Sequence, residues 1–78
     1  MAVKVEIFSS LRQYVAAYDP ARGLAWPGAG RSVAQLAAEL GIPAGEVKLA
    51  MVNRAPAPLE RRLADGDLVG LFPLVDGG

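Results

Sequence analysis

Hydrophobic residues alternate with other residues near the start of the chain, a pattern typical of a half-buried β-strand. Val3, Val5 and Ile7 fall on one face of this segment, and the residues between them fall on the other. A second apolar segment, from Leu68 to Phe72, follows a turn sequence late in the chain. We therefore expect a strand at each of these two places.

Midway along the chain the apolar residues change from a period of two to the period of a helix. The residues on this helical face are Val33, Leu36, Ala37 and Leu40. Ser32 before them is a good N-cap, and Gln35 three residues later completes a capping box. Gly41 suits a left-handed helix end, Ile42 is placed to contact that end, and Pro43 prevents continuation. This helix is the clearest predicted element.

Shorter elements are predicted between these segments. They are a second strand at Leu24–Trp26, a third strand at Val47–Asn53, a turn or short helix at Arg12–Tyr18, a short helical turn at Leu59–Leu63 and a tight turn at Asp65–Asp67. Pro56 and Pro58 exclude a central strand just after the third one, so that segment is an edge strand or a loop.

The order of the elements indicates how they assemble: strand, strand, helix, then two or three strands. One helix covers only one face of a sheet, and a right-handed crossover through it lets the first and last strands pair in parallel at the sheet centre. The predicted fold class is therefore α+β, a β-grasp with a mixed sheet of four to five strands and one main helix packed on one face. The residues left on the sheet face away from the helix are Phe8, Leu68, Gly70 and Phe72. We expect one domain over residues 1–78 with a flexible C-terminal tail from about residue 73.

Composition excludes several classes of function. The 78 residues include neither Cys nor His, so a thiol nucleophile, a thiolate metal site and the usual general base are missing. Eight basic and eight acidic residues give zero formal charge, whereas nucleic-acid binders carry an excess of Lys and Arg. Without a membrane span or a signal peptide, the chain is expected in the cytoplasm. Asp65 and Asp67 supply too few oxygen ligands for a divalent ion, so no metal site is expected.

The last two residues, Gly77 and Gly78, carry no side chains, so they can thread a channel too narrow for a Cβ atom. The only reactive group there is the Gly78 α-carboxylate, a weak acyl donor that becomes a good one once it is adenylated. Two final glycines also arise by chance in roughly 0.5% of chains of average composition. The dipeptide therefore needs support from the rest of the sequence.

Four separated pieces of sequence together match one known family. They are IFSSLRQY from Ile7 to Tyr14, SVAQLAAELGIP from Ser32 to Pro43, AMVNR from Ala50 to Arg54, and LADGDLVGLFPLVDGG from Leu63 to Gly78. In this order and spacing the chain resembles the MoaD/ThiS family of ubiquitin-like sulfur carriers over nearly its whole length. Arg54, where that family usually has Gly, and Asp76, where small residues are common, depart from the pattern.

The resemblance implies a sulfur carrier that is not catalytic alone. A ubiquitin-activating-type adenylating enzyme (MoeB/ThiF-like) would use ATP to adenylate Gly78, and a sulfur donor such as a cysteine desulfurase or rhodanese would convert it to a thiocarboxylate. The Phe-x-x-Leu-Arg piece favours the molybdopterin (molybdenum cofactor) branch, in which the carrier is the small subunit of molybdopterin synthase and its partner is the MoaE-like large subunit. No cofactor is expected to bind this chain itself, and Gly77 would give the tail access to its partners.

Hydrophobic residues make up 53% of the chain, so a small domain is expected to present apolar surface to a partner. Phe72 beside the tail suits an interface anchor, and Pro73 follows it. Phe8 and Leu68 extend the same patch. Plain core packing is the alternative for these side chains. Arg12 either pairs with an acid of the partner or is solvated.

Two alternative functions stay open. The first is a sulfur carrier for thiamin thiazole, tungsten-pterin or amino-acid biosynthesis, which differs from the leading hypothesis only in the acceptor. The second, from another class, is a ubiquitin-like protein modifier joined to lysines, or a β-grasp module that only binds. The sequence specifies neither the acceptor and partner proteins nor the oligomeric state.

Overall fold

The structure, a computed structural model, describes residues 2–16 and 18–73. Its strands and α-helix are β1 (Val3–Ile7), β2 (Leu24–Trp26), α1 (Val33–Glu39), β3 (Leu49–Val52), β4 (Ala55–Ala57) and β5 (Leu68–Phe72). Two 3-10 helices lie between them, at Ser9–Tyr14 and Ala44–Glu46. No helix in the described ranges is long and apolar enough to cross a membrane. Most of the expected tail, with Gly77 and Gly78, lies outside the described residues.

The strands form one mixed sheet in the order β2-β1-β5-β3-β4. β1 and β5 pair in parallel at its centre, with Val5 beside Val69 and Ile7 beside Leu71. The other neighbouring strands are antiparallel. The predicted α+β β-grasp, with parallel central strands and one main helix, is confirmed.

β3 and β4 form a hairpin at one side of this sheet. β3 spans Leu49–Val52 instead of the expected residues 47–53. It ends at Val52 because Asn53 and Arg54 make the hairpin turn. β4, which contains Pro56, is an edge strand. This position suits a residue that has no amide hydrogen for a second neighbouring strand.

Apolar side chains between the sheet and α1 form the core. The predicted alternation of β1 is confirmed, since Val3, Val5 and Ile7 are at most 1% exposed. The other large, fully buried residues are Leu11, Val33, Leu36, Ile42, Val52, Val69 and Leu71. Burying one such side chain contributes about 1.5–3 kcal/mol, whereas a helix cap contributes about 1 kcal/mol. Packing therefore holds α1 in place more than its caps do.

Both ends of α1 have the predicted caps. Ser32 Oγ accepts a hydrogen bond from the Gln35 amide at 3.1 Å, and Gln35 Oε1 accepts one from the Ser32 amide at 2.8 Å. At the other end Gly41 has a φ of 85°, and the Ile42 amide donates to the Ala37 carbonyl at 2.9 Å. The residue pattern thus specified the start and the end of this helix.

The segment after β1 differs from the expected turn or short helix at residues 12–18. Its 3-10 helix begins earlier, at Ser9, and ends at Tyr14. Leu11 is fully buried in the core. Packing of this side chain holds the helix directly against the end of β1.

Residues 59–63 contain one turn and an isolated bridge instead of the expected short helical turn. The carbonyl groups of Leu59 and Arg61 accept hydrogen bonds from the amides of Ala34 and Val33, each at 3.0 Å. The first amides of a helix have no partner within the helix. This segment therefore satisfies the start of α1, which a helical turn using its own carbonyl groups would not do.

The predicted turn at Asp65–Asp67 forms, and its second carboxylate is part of the fold. Asp67 is 9% exposed. Its Oδ2 accepts a hydrogen bond from the Ala64 amide at 2.8 Å, and its Oδ1 accepts one from the Asn53 side chain at 2.9 Å. These hydrogen bonds, the Ala64 amide first, lower the pKa of the Asp67 carboxyl below its ordinary value. In the described ranges, no three metal-ligating side chains lie together.

Replacing Asp67 by Asn (D67N) is expected to lower the free energy of unfolding by about 1–3 kcal/mol, because a hydrogen-bond donor then faces another donor. Because the folded-state pKa is lowered, the wild-type contribution is present above the pKa of an unfolded Asp, about 3.9. It is lost as the pH falls through the folded-state pKa. Urea denaturation across the acid range measures both effects. The control D65N changes an exposed carboxylate of the same turn, and an equal loss in both variants would contradict this role of Asp67.

Candidate functional site

The sheet face opposite α1 carries a shallow apolar depression of about 120 Å³. It is lined by Glu6, Phe8, Met51, Arg54, Leu68, Gly70 and Phe72. We call this surface the open face. The side chains that alternate with the core residues of β1, β3 and β5 form most of it, so that each of these strands contributes to both faces of the sheet.

Two aromatic rings form the centre of the open face. Phe8 directly follows β1, and Phe72 is the last residue of β5. The parallel register pairs Ile7 with Leu71, and the Phe8 amide donates to the Leu71 carbonyl at 3.1 Å. The two phenyl rings therefore stack, with centroids 4.2 Å apart and an interplanar angle of 5°.

Gly70 gives these rings room to lie against the sheet. A Cβ atom at this position would lie 3.2 Å from Phe72 Cε1 and 3.5 Å from Phe8 Cε2. In the neighbouring strands, Glu6 of β1 and Met51 of β3 are its register partners. The missing side chain leaves a flat apolar floor between a carboxylate on one side and a thioether on the other.

The structure brings together most of the residues predicted to bind a partner. Phe8, Leu68 and Phe72 all lie in the open face, half-buried, and Pro73 follows Phe72 directly. Their role in partner binding stays a prediction. The predicted acyl-carrying residues Gly77 and Gly78 lie outside the described residues.

Arg12, also predicted to bind a partner, is not among the residues that line the depression. Its Nε donates a hydrogen bond to the carbonyl group of Ile7, at 3.0 Å. Ile7 is the last residue of β1, so the guanidinium group satisfies the end of a central strand. From the sequence, this side chain was expected either to pair with an acid of the partner or to be solvated. In the structure it donates to a backbone carbonyl group of the chain itself.

Four residues of the open face were not among the predicted site residues. Gly70 was expected on this face without a role in binding, and Glu6, Met51 and Arg54 were not predicted there as site residues. Alternation within β1 already places Glu6 opposite the core. The contact of Glu6 and Met51 with the same glycine depends on the register between strands distant in sequence, which no local pattern reveals. For Arg54 the available signal was its departure from the glycine that is usual at this place.

A second group of polar side chains lies on the helix side of the sheet. Trp26 Nε1 donates to Glu39 Oε1 at 3.0 Å, and Arg31 Nε donates to Glu39 Oε2. These hydrogen bonds, Trp26 first, lower the pKa of the Glu39 carboxyl. Glu39 is exposed, and the group connects β2 to α1 without lining the open face.

With this geometry established, comparison with known proteins assigns a family. Residues 1–77 match the family described as Mut7-C ubiquitin. The chain belongs to the Mut7-C ubiquitin family. No curated protein matches it.

Solved structures share the fold of this Mut7-C ubiquitin chain. SAMP1 from Haloferax volcanii superposes with a TM-score of 0.68 at 22% identity, covering 100% of both chains. A candidate molybdopterin converting factor, subunit 1, from Pyrococcus furiosus gives a TM-score of 0.66 at 26% identity, covering 96% of this chain and 99% of that one. The resemblance is confirmed at the level of a ubiquitin-like family and of a fold shared with a protein named for molybdopterin conversion.

The Phe8–Phe72 stack is expected to contribute a coupling free energy of about 0.5–1.5 kcal/mol, because stacked rings attract beyond the area that each buries. Urea denaturation of F8A, F72A and the double variant measures this coupling. A control cycle pairs F72A with W26F, on opposite faces of the sheet, and is expected to be additive within about 0.3–0.5 kcal/mol. Additivity in both cycles would show that the rings do not support each other.

Proposed function

We propose that this chain is a sulfur carrier for molybdopterin formation. The Gly78 carboxylate is adenylated by a ubiquitin-activating-type enzyme that uses ATP, is converted to a thiocarboxylate, and then donates its sulfur. A MoaE-like large subunit receives the charged tail. The chain itself holds no catalytic group and acts as the small subunit of the synthase.

The observation that carries the proposal is the direct connection between the open face and the tail. Phe72 lies in the open face and is the last residue of β5. Gly78 is six residues further on. An extended segment of six residues spans up to roughly 20 Å. When a partner covers the aromatic stack, the tail is thus long enough to bring the Gly78 carboxylate into a site within that partner.

The comparisons support the proposal at two levels. The family is a ubiquitin family, which fits a small β-grasp domain with two glycines after its last strand. The Pyrococcus furiosus relative matches over nearly the full length of both chains and is named for molybdopterin conversion. That name favours the molybdopterin branch over the other sulfur acceptors.

The chemistry assigns distinct work to the chain and to its partners. A Gly78 carboxylate oxygen attacks the α-phosphate of ATP and pyrophosphate leaves, which gives an acyl-adenylate. A sulfur nucleophile then bonds to the carbonyl carbon and AMP leaves. Adenylation removes the negative charge that resists this attack. Because the chain has neither Cys nor His, groups that move protons or deliver sulfur belong to the partners.

Incubation with the adenylating enzyme of the same source, ATP and sodium sulfide tests the proposal. Intact-mass measurement is expected to show one oxygen replaced by sulfur at the C-terminal glycine. Deleting Gly78 is expected to abolish this change without moving the urea midpoint, because the core and sheet that the structure describes are built from residues 2–73. Intact mass of the protein from its own cells establishes that Gly78 carries the free carboxylate.

The outcomes separate the proposal from its alternatives. An unchanged mass in the complete reaction would overturn the sulfur-carrier function. Linkage of Gly78 to lysines of other proteins, in place of a thiocarboxylate, would assign a modifier. Sulfur transfer to a thiazole precursor or an amino-acid precursor, and not with the large synthase subunit, would retain the carrier and change its pathway.

A further inference from the structure

The β3–β4 hairpin holds an arginine in an unfavourable backbone conformation. Asn53 and Arg54, the two turn residues, have φ of 53° and 70°. Two-residue hairpin turns commonly need positive φ at both positions, where Asn and Gly are favoured. Asn53 is additionally held by hydrogen bonds with Asp67 and Leu68. Among residues 2–16 and 18–73, no side-chain hydrogen bond compensates Arg54 in this way, and its backbone conformation costs stability for a residue with a Cβ.

Arg54 lies at the rim of the open face and is exposed. Within residues 2–16 and 18–73, the ion pairs are Arg22 with Asp19 and Arg31 with Glu39. No acid of the described residues therefore neutralises the Arg54 guanidinium. Backbone strain retained at an exposed cation is a feature associated with function more than with folding.

The rim carries opposite charges on its two sides. Glu6 belongs to β1 and Arg54 follows β3, with β5 between them. Neighbouring strands lie about 4.8 Å apart, so the two strands are separated by roughly 10 Å. Between them lies the apolar floor of Gly70 and the stacked rings. A partner covering this floor would exclude water, and that would strengthen its ion pairs with both charges.

Lys4, the other charge that alternation places on this face, does not line the depression. A Cβ built on Gly23 would lie 2.9 Å from Lys4 Cε, so the aliphatic chain of Lys4 extends over Gly23 in the direction of β2. Arg54 is thus the cation that lines the depression among the described residues.

We propose that Arg54 is a recognition contact of the open face and pairs with a carboxylate of the adenylating enzyme. The complementary surface has an apolar side chain that covers the Phe8–Phe72 stack and an acid directly beside it. This inference rests on the proposed function, in which every choice of acceptor requires the adenylating enzyme. That common requirement is why this enzyme is the occupant.

An arginine that only keeps the hairpin soluble could stand at any exposed position of the hairpin. It would also be replaced without loss by glycine, which fits positive φ. The two hypotheses therefore predict opposite consequences of R54G for recognition. Relief of strain stabilises the fold in both, whereas recognition of the enzyme fails only if the guanidinium is a contact.

The experiment compares the wild type with R54G, R54K and R54E as substrates of the adenylating enzyme of the same source. The rate of adenylation is measured as pyrophosphate release. R54G is expected to raise the urea midpoint and to raise the KM for the carrier about tenfold or more, with kcat unchanged, as for loss of an interfacial charge pair. R54K retains part of the affinity, and R54E loses more than R54G. The KM of the wild type rises with salt more steeply than that of R54G.

The control R22A removes the same charge from an exposed turn away from the open face and is expected to leave KM unchanged. An equal KM for R54G and the wild type would overturn this inference and leave the proposed function standing. A wild type that is never adenylated would overturn both. If R54G leaves the KM unchanged in a D76N background, Arg54 pairs with the acid of the chain's own tail, and the inference of a contact with the partner is wrong. Loss of a wild-type dimer in R54E would assign the contact to a second copy and would likewise overturn the inference.

Discussion

The parallel pairing of β1 with β5 is the constraint on which the rest of the structure depends. It brings residues from the two ends of the described chain together at the sheet centre, with Val5 beside Val69. On the helix side this pairing assembles the core. On the other side the same register stacks Phe8 on Phe72. A core substitution that moved this register would therefore also take apart the open face, and the two faces are not independent in evolution or in design.

Local patterns predicted those features whose causes are local. The capping box of Ser32 and Gln35, the alternation in β1 and the turn before β5 each depend on neighbours a few residues apart. The prediction failed where distant groups decide the structure. Residues 59–63 are held by hydrogen bonds from the first amides of α1, and the 3-10 helix at Ser9–Tyr14 is held by burial of Leu11.

The candidate site divides along the same line. Phe8, Leu68 and Phe72 were predictable because alternation and the helix cover together decide which side chains stay outside. Glu6 and Met51 enter the site through Gly70, their shared register partner. That relation joins three strands from separate parts of the sequence. A site on a sheet face is therefore predictable strand by strand, while the combination of its residues requires the topology.

The hairpin turn shows how stability and recognition are connected in so small a domain. The Asn53 side chain donates a hydrogen bond to Asp67 and accepts one from the Leu68 amide, and these bonds hold the hairpin turn. This support allows Arg54 to keep a backbone conformation that it does not favour. A rigid support next to a strained contact residue is the arrangement expected where natural proteins exchange stability for function. The Asp67 carboxylate thus affects the open face indirectly: it fixes Asn53, and the position of Asn53 fixes the backbone of Arg54.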